Sequence, residues 1–272
     1  MKDLATIDVA FAGSRSYLPY AAVAMESLLD AADDPSSIRV HLVSVDPLAE
    51  ASHAFAAIGA RHGAAFSGYL LDGGFPSFSQ LQGFTPHYHR LLIPEVLPVD
   101  IDRYLYLDCD VVVRRDITGL WNVDLEHAIV GATIDYLPTV AEGISNHGAL
   151  GLRGEDSYFN SGVLLVDRRA WIQADVTSDV LAATRANEDH LWALSKFPQY
   201  DQYGLNLVLR SRWREIDAGW NYGSELAFDP SVSIVHFNGH GKPWSPTCTA
   251  EYRDEFLAIQ HRLGELLDRL GA

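Results

Sequence analysis

Short apolar runs alternate with helical stretches through the first third of the chain, and that alternation leaves few folds open. Ile7 to Ala12 is apolar and closes on Gly13-Ser14, a strand and then a turn. Tyr20 to Leu29 has the Ala, Met, Glu and Leu content of a helix. Ile38 to Val45 alternates like a strand, Pro47 opens a helical stretch as a first-turn residue, and Ala64 to Leu71 is a third strand. Strands that alternate with helices pair in parallel and need helices on both faces. The predicted fold is therefore α/β, a Rossmann-like domain with a mostly parallel central sheet flanked by helices.

Further along, Asp72 to Pro86 reads as a loop, Tyr88 to Val96 as helical despite Pro94, and Arg103 to Leu107 as a strand. Ile129 to Ile134 is a strand ending at Asp135, Gly162 to Asp167 a buried strand, and Val176 to Leu194 a surface helix. Glu251 to Leu270 is a C-terminal helix of mixed charge. Tyr136 to Tyr158 lacks periodicity, so it is expected to be a lid loop, with Gly143, Gly148, Gly151 and Gly154 as hinges. No repeat or linker breaks the 272 residues, which read as one domain.

Charge removes one class of partner. With 36 acidic against 20 basic residues, the net charge of −16 opposes nucleic-acid binding. No apolar run approaches the roughly 20 residues of a transmembrane helix, and Asp3 and Asp8 interrupt any apolar leader. Two cysteines, Cys109 and Cys248, do not make a disulfide framework. A cytoplasmic setting fits, and a peripheral seat at the inner membrane face stays compatible with it.

Two distant segments bear chemistry. Tyr-Leu-Tyr-Leu-Asp-Cys-Asp ends at Asp110, with Asp108 and Asp110 just past a buried strand, where open α/β sheets bind ligands. In an extended backbone the two would share a face and offer hard oxygens to Mg²⁺ or Mn²⁺. His236 to Trp244 adds an imidazole that could join the metal, Gly239 for close backbone approach to a phosphate, and Lys242 as a point charge for a diphosphate.

These residues resemble the retaining α-glycosyltransferases that include bacterial lipooligosaccharide galactosyltransferases and glycogenin. The resemblance runs through Ala12 to Tyr17, Tyr88-His89-Arg90-Leu91, Tyr106 to Val111, Leu120-Trp121, Ala132 to Asp135, Tyr158 to Leu165, Asp201-Gln202, and His236 to Trp244 with Cys248-Thr249-Ala250. It implies a GT-A-like fold, with a nucleotide-binding half over about 1–115 and a sugar and acceptor half over about 116–272. It implies that Asp108, Asp110 and His236 hold Mn²⁺, with Mg²⁺ as the alternative. Ala12, Ser14, Tyr17, Arg90, Asp108, Gly239 and Lys242 would bind the nucleotide donor, with Tyr17 stacked on the base. Asp135, Asn160, Asp201 and Gln202 would surround the transferred sugar. The implied reaction moves a hexose from UDP-galactose or UDP-glucose to a saccharide or other glycoconjugate hydroxyl. Asn160 and Asp135 could instead cap turns, and Asp201 could be a helix N-cap.

The chain departs from the family pattern in two places. Ser14 stands where relatives carry an acid that reads the base, and Tyr203 stands where they carry a second acid after Asp201-Gln202. Cys109, between the paired acids, is expected to point away. A sugar nucleotidyltransferase and a catalytically degenerate nucleotide-sugar binding protein are the alternative readings.

Overall fold

The structure, a computed structural model, describes residues 6–72, 77–81, 83–192, 198–268 and 270. The strands in chain order are β1 (Ile7–Ala12), β2 (Ile38–Ser44), β3 (Ala65–Leu70), β4 (Arg103–Leu107), β5 (Val111–Val113), β6 (Val130–Ala132), β7 (Ile134–Thr139), β8 (Ser157–Phe159), β9 (Val163–Asp167), β10 (Trp213–Glu215), β11 (Tyr222–Gly223) and β12 (Ile234–His236). Among the described residues a seven-stranded sheet runs β10-β6-β9-β4-β1-β2-β3. Its pairs are parallel except for β9, which runs antiparallel to both β4 and β6. The sheet is thus mostly parallel, as predicted.

Its central strands are apolar on both faces because helices cover both. Ile7, Val9, Phe11, Leu105 and Leu107 pack beneath the helices Leu18–Ala31, Ala49–His62 and Ala250–Leu263. Ala10, Tyr104 and Tyr106 alternate with them and face the segment around Leu91–Ile93 and the helices Val176–Ala186 and Tyr200–Leu209. Each fully buried side chain of Phe11's size contributes about 2–3 kcal/mol.

Two smaller sheets shape the top edge. After β4 the chain turns through 108–110 and leaves the main sheet as β5, which joins β12 and β11. β12 is antiparallel to β5 and sets His236 opposite Val111. The β7–β8 pair carries Asp135.

Several local expectations change. Pro47 lies outside the helix, before the N-cap Leu48, because Asp46 holds that turn: its N–H donates to Ser44 Oγ, and its carboxylate accepts from Arg15 N–H. Tyr88–Val96 is a 3-10 stretch, Pro86–Leu92, followed by one α turn, Ile93–Val96. Pro94 has no N–H to bond the Arg90 carbonyl. Asp135 sits inside β7 and not at a strand end, since the chain leaves the main sheet at Thr133, whose carbonyl accepts from Asn160 N–H at 2.9 Å.

Tyr136 to Tyr158 is not a structureless loop. It holds most of β7, a capping-box turn at Val140–Gly143 and the start of β8. Val140, Ile144 and Tyr158 pack with Tyr203 and Leu207, and Gly143 lies flat against the Tyr158 ring, so its hinge role is withdrawn. The expected helix to Leu194 stops at Ala186, and its last two positions lie outside the described residues, as do 73–76 and 82 of the expected Asp72–Pro86 loop. The C-terminal helix breaks at Gly264 into Ala250–Leu263 and Glu265–Asp268.

Candidate active site

A cleft of about 460 Å³ opens at the carboxyl ends of β1 and β4. Every residue expected to hold the metal, the donor or the sugar lines it. At one end stand Ala12, Ser14, Tyr17, Asp108, Asp110, His236, Gly239 and Lys242; at the other stand Asp135, Asn160, Asp201 and Gln202, with Arg90 beneath both.

Local folding explains the first end. Asp108 N–H donates to Gly162 O at 2.8 Å, and Phe237 N–H donates to Asp110 O at 2.9 Å. The turn between β4 and β5, and not an extended pleat, therefore brings both carboxylates to His236. His236 Nε2 lies 3.5 Å from Asp108 Oδ2 and 3.4 Å from Asp110 Oδ1. One ligand atom from each of the three residues lies within 4.8 Å of the others. His236 Nδ1 is 2.9 Å from Asn221 Oδ1. Two carboxylates and one imidazole fit a divalent cation and leave coordination positions open.

Gly162 makes this approach possible. A Cβ there would lie 2.2 Å from His236 Cε1 and 2.9 Å from Asp108 Oδ2. Gly239 has φ +51°, a conformation that suits glycine and leaves its backbone open to the cleft.

The charges are tightly paired. Burial pushes the Asp110 carboxyl up, but Lys242 and His236 outweigh it and hold it well below the ordinary carboxylate range. Lys242 forms an ion pair with Asp110. Asp108 Oδ1 accepts from Tyr106 Oη–H at 2.6 Å and lies 3.0 Å from Arg90 Nη2. Arg90 also donates from Nη1 to Ser161 O at 2.8 Å and from Nε to His87 O at 3.1 Å.

The second end is built of amides around two acids. Asp135 Oδ1 accepts from Leu137 N–H at 2.8 Å, and Oδ2 accepts from Asn160 Nδ2 at 2.7 Å and Gln202 Nε2 at 3.2 Å. Gln202 Oε1 accepts from Ser161 N–H at 2.9 Å. Asn160 Oδ1 accepts from Gly162 N–H at 2.8 Å. The turn-capping reading of Asp135 and Asn160 therefore holds alongside their place in the cleft. Burial raises the Asp135 carboxyl against these donors.

Asp201 is not an N-cap. It lies in the first turn of Tyr200–Leu209, behind Gln199. Its Oδ2 is 3.1 Å from Arg90 Nε, yet that N–H points to His87 O, so Oδ2 is buried without a hydrogen-bond donor. Burial, opposed by Arg90 and reinforced by Asp108, pushes its carboxyl up to about 6.

Both departures can now be placed. Ser14 Oγ is 3.2 Å from Ser16 Oγ at the rim. Tyr203 is fully buried away from the cleft, and its hydroxyl donates to Asn146 Oδ1 at 2.7 Å. Position 203 therefore contributes nothing to the lining. Cys109 is buried with the hydrophobic core, its thiol 3.4 Å from Ala12 O, and the residue also borders the cleft. Sequence reasoning missed Tyr106 and Asn221, and also His87 and Tyr200, whose rings stack 4.3 Å apart along one wall. Tyr106 lies within the quoted Asp motif, whereas Asn221 carries no local signal.

The model of the family described as Glycosyl transferase family 8 matches residues 8–248. General stress protein A of Bacillus subtilis strain 168 is 28% identical over 187 residues, with 62% of each chain covered. Lipopolysaccharide 1,2-glucosyltransferase of Escherichia coli K12 is 30% identical over 171 residues, covering 58% of this chain and 48% of that protein. The chain thus spans 62% and 48% of the length of these two curated relatives. The galactosyltransferase LgtC, solved in complex with donor and acceptor sugar analogues, superposes with a TM-score of 0.78 at 26% identity, over 95% of this chain and 96% of that one.

Proposed function

The chain belongs to glycosyl transferase family 8, and from that premise we propose that it is a metal-dependent hexosyltransferase drawing on a nucleotide diphosphate sugar. The observation that carries this reading is the convergence of Asp108, Asp110, His236 and Lys242 at one end of a cleft whose other end is lined by Asp135, Asn160, Asp201 and Gln202. A cation held by Asp108, Asp110 and His236 would supply Lewis-acid stabilisation of the leaving diphosphate. Lys242 and the backbone at Gly239 neutralise the diphosphate oxygens, and Tyr17 offers a ring to the base. Arg90 orients Asp108 and the carbonyls of Ser161 and His87, which fixes the floor beneath the sugar. Asp135 and Gln202 are held in place to receive sugar hydroxyls.

The donor is a UDP-hexose, galactose or glucose, the acceptor is a hydroxyl of a saccharide or glycoconjugate, and the anomeric configuration is retained. The whole chain acts as one domain. Among the described residues no helix is long and apolar enough to cross a membrane, and Cys109 and Cys248 are free thiols; a cytoplasmic setting accords with the reading. Asp201, with its undonated oxygen, is the residue to interrogate for a covalent glycosyl intermediate. A glycosylated Asp201 peptide in donor-treated protein would favour that route over same-face attack.

Thermal shift and turnover test the reading with UDP-galactose and UDP-glucose, each with and without Mn²⁺. The expected result is a Mn²⁺-dependent rise in melting temperature with one donor, followed by release of UDP, both absent in Asp110→Asn. Equal shifts with and without Mn²⁺, or no turnover of any nucleotide sugar, would overturn it.

A further inference from the structure

A chain of hydrogen bonds joins the two ends of the cleft through a residue that lies outside its lining. His236 Nδ1 meets Asn221 Oδ1 at 2.9 Å, Asn221 Nδ2 donates to Asn160 Oδ1 at 2.8 Å, and Asn160 Nδ2 donates to Asp135 Oδ2 at 2.7 Å. The direction of this chain is fixed by groups that cannot reverse. Gly162 N–H, which can only donate, sits 2.8 Å from Asn160 Oδ1 and makes that atom the acceptor. Asn221 must therefore turn its NH₂ toward Asn160, and its oxygen is left facing the imidazole. An oxygen there accepts, so His236 Nδ1 must carry the proton. Nε2, the nitrogen that faces Asp108 and Asp110, is therefore the one available to a cation.

We propose that Asn221 is a positioning residue: it holds His236 in the Nδ1–H tautomer and ring orientation that present Nε2 to the cation, with polarity inherited from Gly162 and Asp135 through Asn160. The inference rests on the metal reading above. Free histidine has no such constraint, and a ligating imidazole whose second nitrogen lacks its partner typically loses tenfold to a hundredfold in metal affinity. The same chain ties the imidazole to the acid that lines the sugar end, so the cation site and the sugar pocket are ordered by one network.

Two measurements, neither of them activity, test this. In metal-free ¹⁵N-labelled protein, long-range imidazole correlations, assigned by their loss in His236→Gln, should show Nδ1 protonated. Mn²⁺ titration without donor, read from the free-ion EPR signal, should show a tenfold to hundredfold loss of affinity in Asn221→Leu. Asn221→Asp, which can still accept from Nδ1–H, should stay within a few-fold of wild type. A bare Nδ1 in the wild type overturns the inference, and that spectrum decides even if Asn221→Leu does not fold. Equal Mn²⁺ affinity in wild type and a folded Asn221→Leu overturns it while leaving the metal reading intact. No Mn²⁺ binding by wild type overturns the metal reading and this inference with it.

Discussion

The two ends of the cleft solve the same problem, buried acids, by different means. At the end formed by Asp108, Asp110 and His236, opposite charge does the work: Lys242 pairs with Asp110 and Arg90 with Asp108. At the other end Asp135 is held almost entirely by neutral donors, the Leu137 N–H, Asn160 and Gln202. Arg90 is held by the Ser161 and His87 carbonyls, but under the proposed function the Lys242 ion pair can exchange partners when a cation and a diphosphate arrive. Amide networks with every donor directed cannot, and serve instead as a preformed mould. The charged end is thus suited to respond to ligand and the amide end to keep its shape.

The contrast breaks first at Asp110. Asp110→Asn should lower Mn²⁺-dependent sugar transfer by about a thousandfold, the rate equivalent of several kcal/mol of lost charge stabilisation. A steady-state assay that finds a tenth or more of the wild-type rate, as a rough threshold, would mean that the cation is not central. Gly162→Ala is the next largest effect. Its Cβ would fall 2.2 Å from the His236 ring, so the ring must move, at a cost of about 1–3 kcal/mol. Mn²⁺ binding should weaken by about tenfold to a hundredfold. Gly148→Ala, with nothing within 4 Å of its Cβ, should change nothing. Indistinguishable Mn²⁺ titrations for the two variants would show that the close approach is not needed.

How much of this could be read beforehand depended on range. β1 and β4 match their expected bounds because a short apolar run is a local signal. The lining residues were legible because several sit in short strings, such as Phe159-Asn160-Ser161-Gly162, that fold together as a unit. What joins the strings was not legible. Asp108 and Asp110 converge through a turn whose partners are Gly162 and Phe237, far along the chain. Asn221 stands 61 positions from Asn160, between two aromatics that advertise only packing. The 136–158 segment looked like a loop because its apolar residues find their partners, Tyr203 and Leu207, on a helix no local period can indicate.

Asp201 sharpens the comparison, as an acid at the amide end that lacks a full set of donors. Its folded value of about 6 stands above its ordinary 3.8. Between those values the folded protein keeps a proton that the unfolded chain has released. Stability from this group is therefore present below about pH 4 and lost as pH rises through about 6. Asp201→Asn cannot titrate. Relative to wild type it should gain on the order of 3 kcal/mol between pH 4 and 7, measured by urea unfolding at each pH. Parallel curves for the two proteins would mean that Asp201 is ionised as readily in the fold as outside it.

The smallest effect is expected at Tyr203, and it tests where the amide end stops. Its hydroxyl serves Asn146, which ties the 140–156 segment to the helix Tyr200–Leu209, and its ring fills the small core with Ile144 and Tyr158. Tyr203→Phe removes one hydrogen bond and keeps the ring, so stability should fall by about 1 kcal/mol. Mn²⁺ and donor affinities should not move, because nothing of Tyr203 reaches the cleft. If donor affinity drops while the melting temperature holds, the pinning of this segment belongs to the sugar pocket after all. The position where the family carries an acid would then act on the substrate through the segment's placement, not through direct contact.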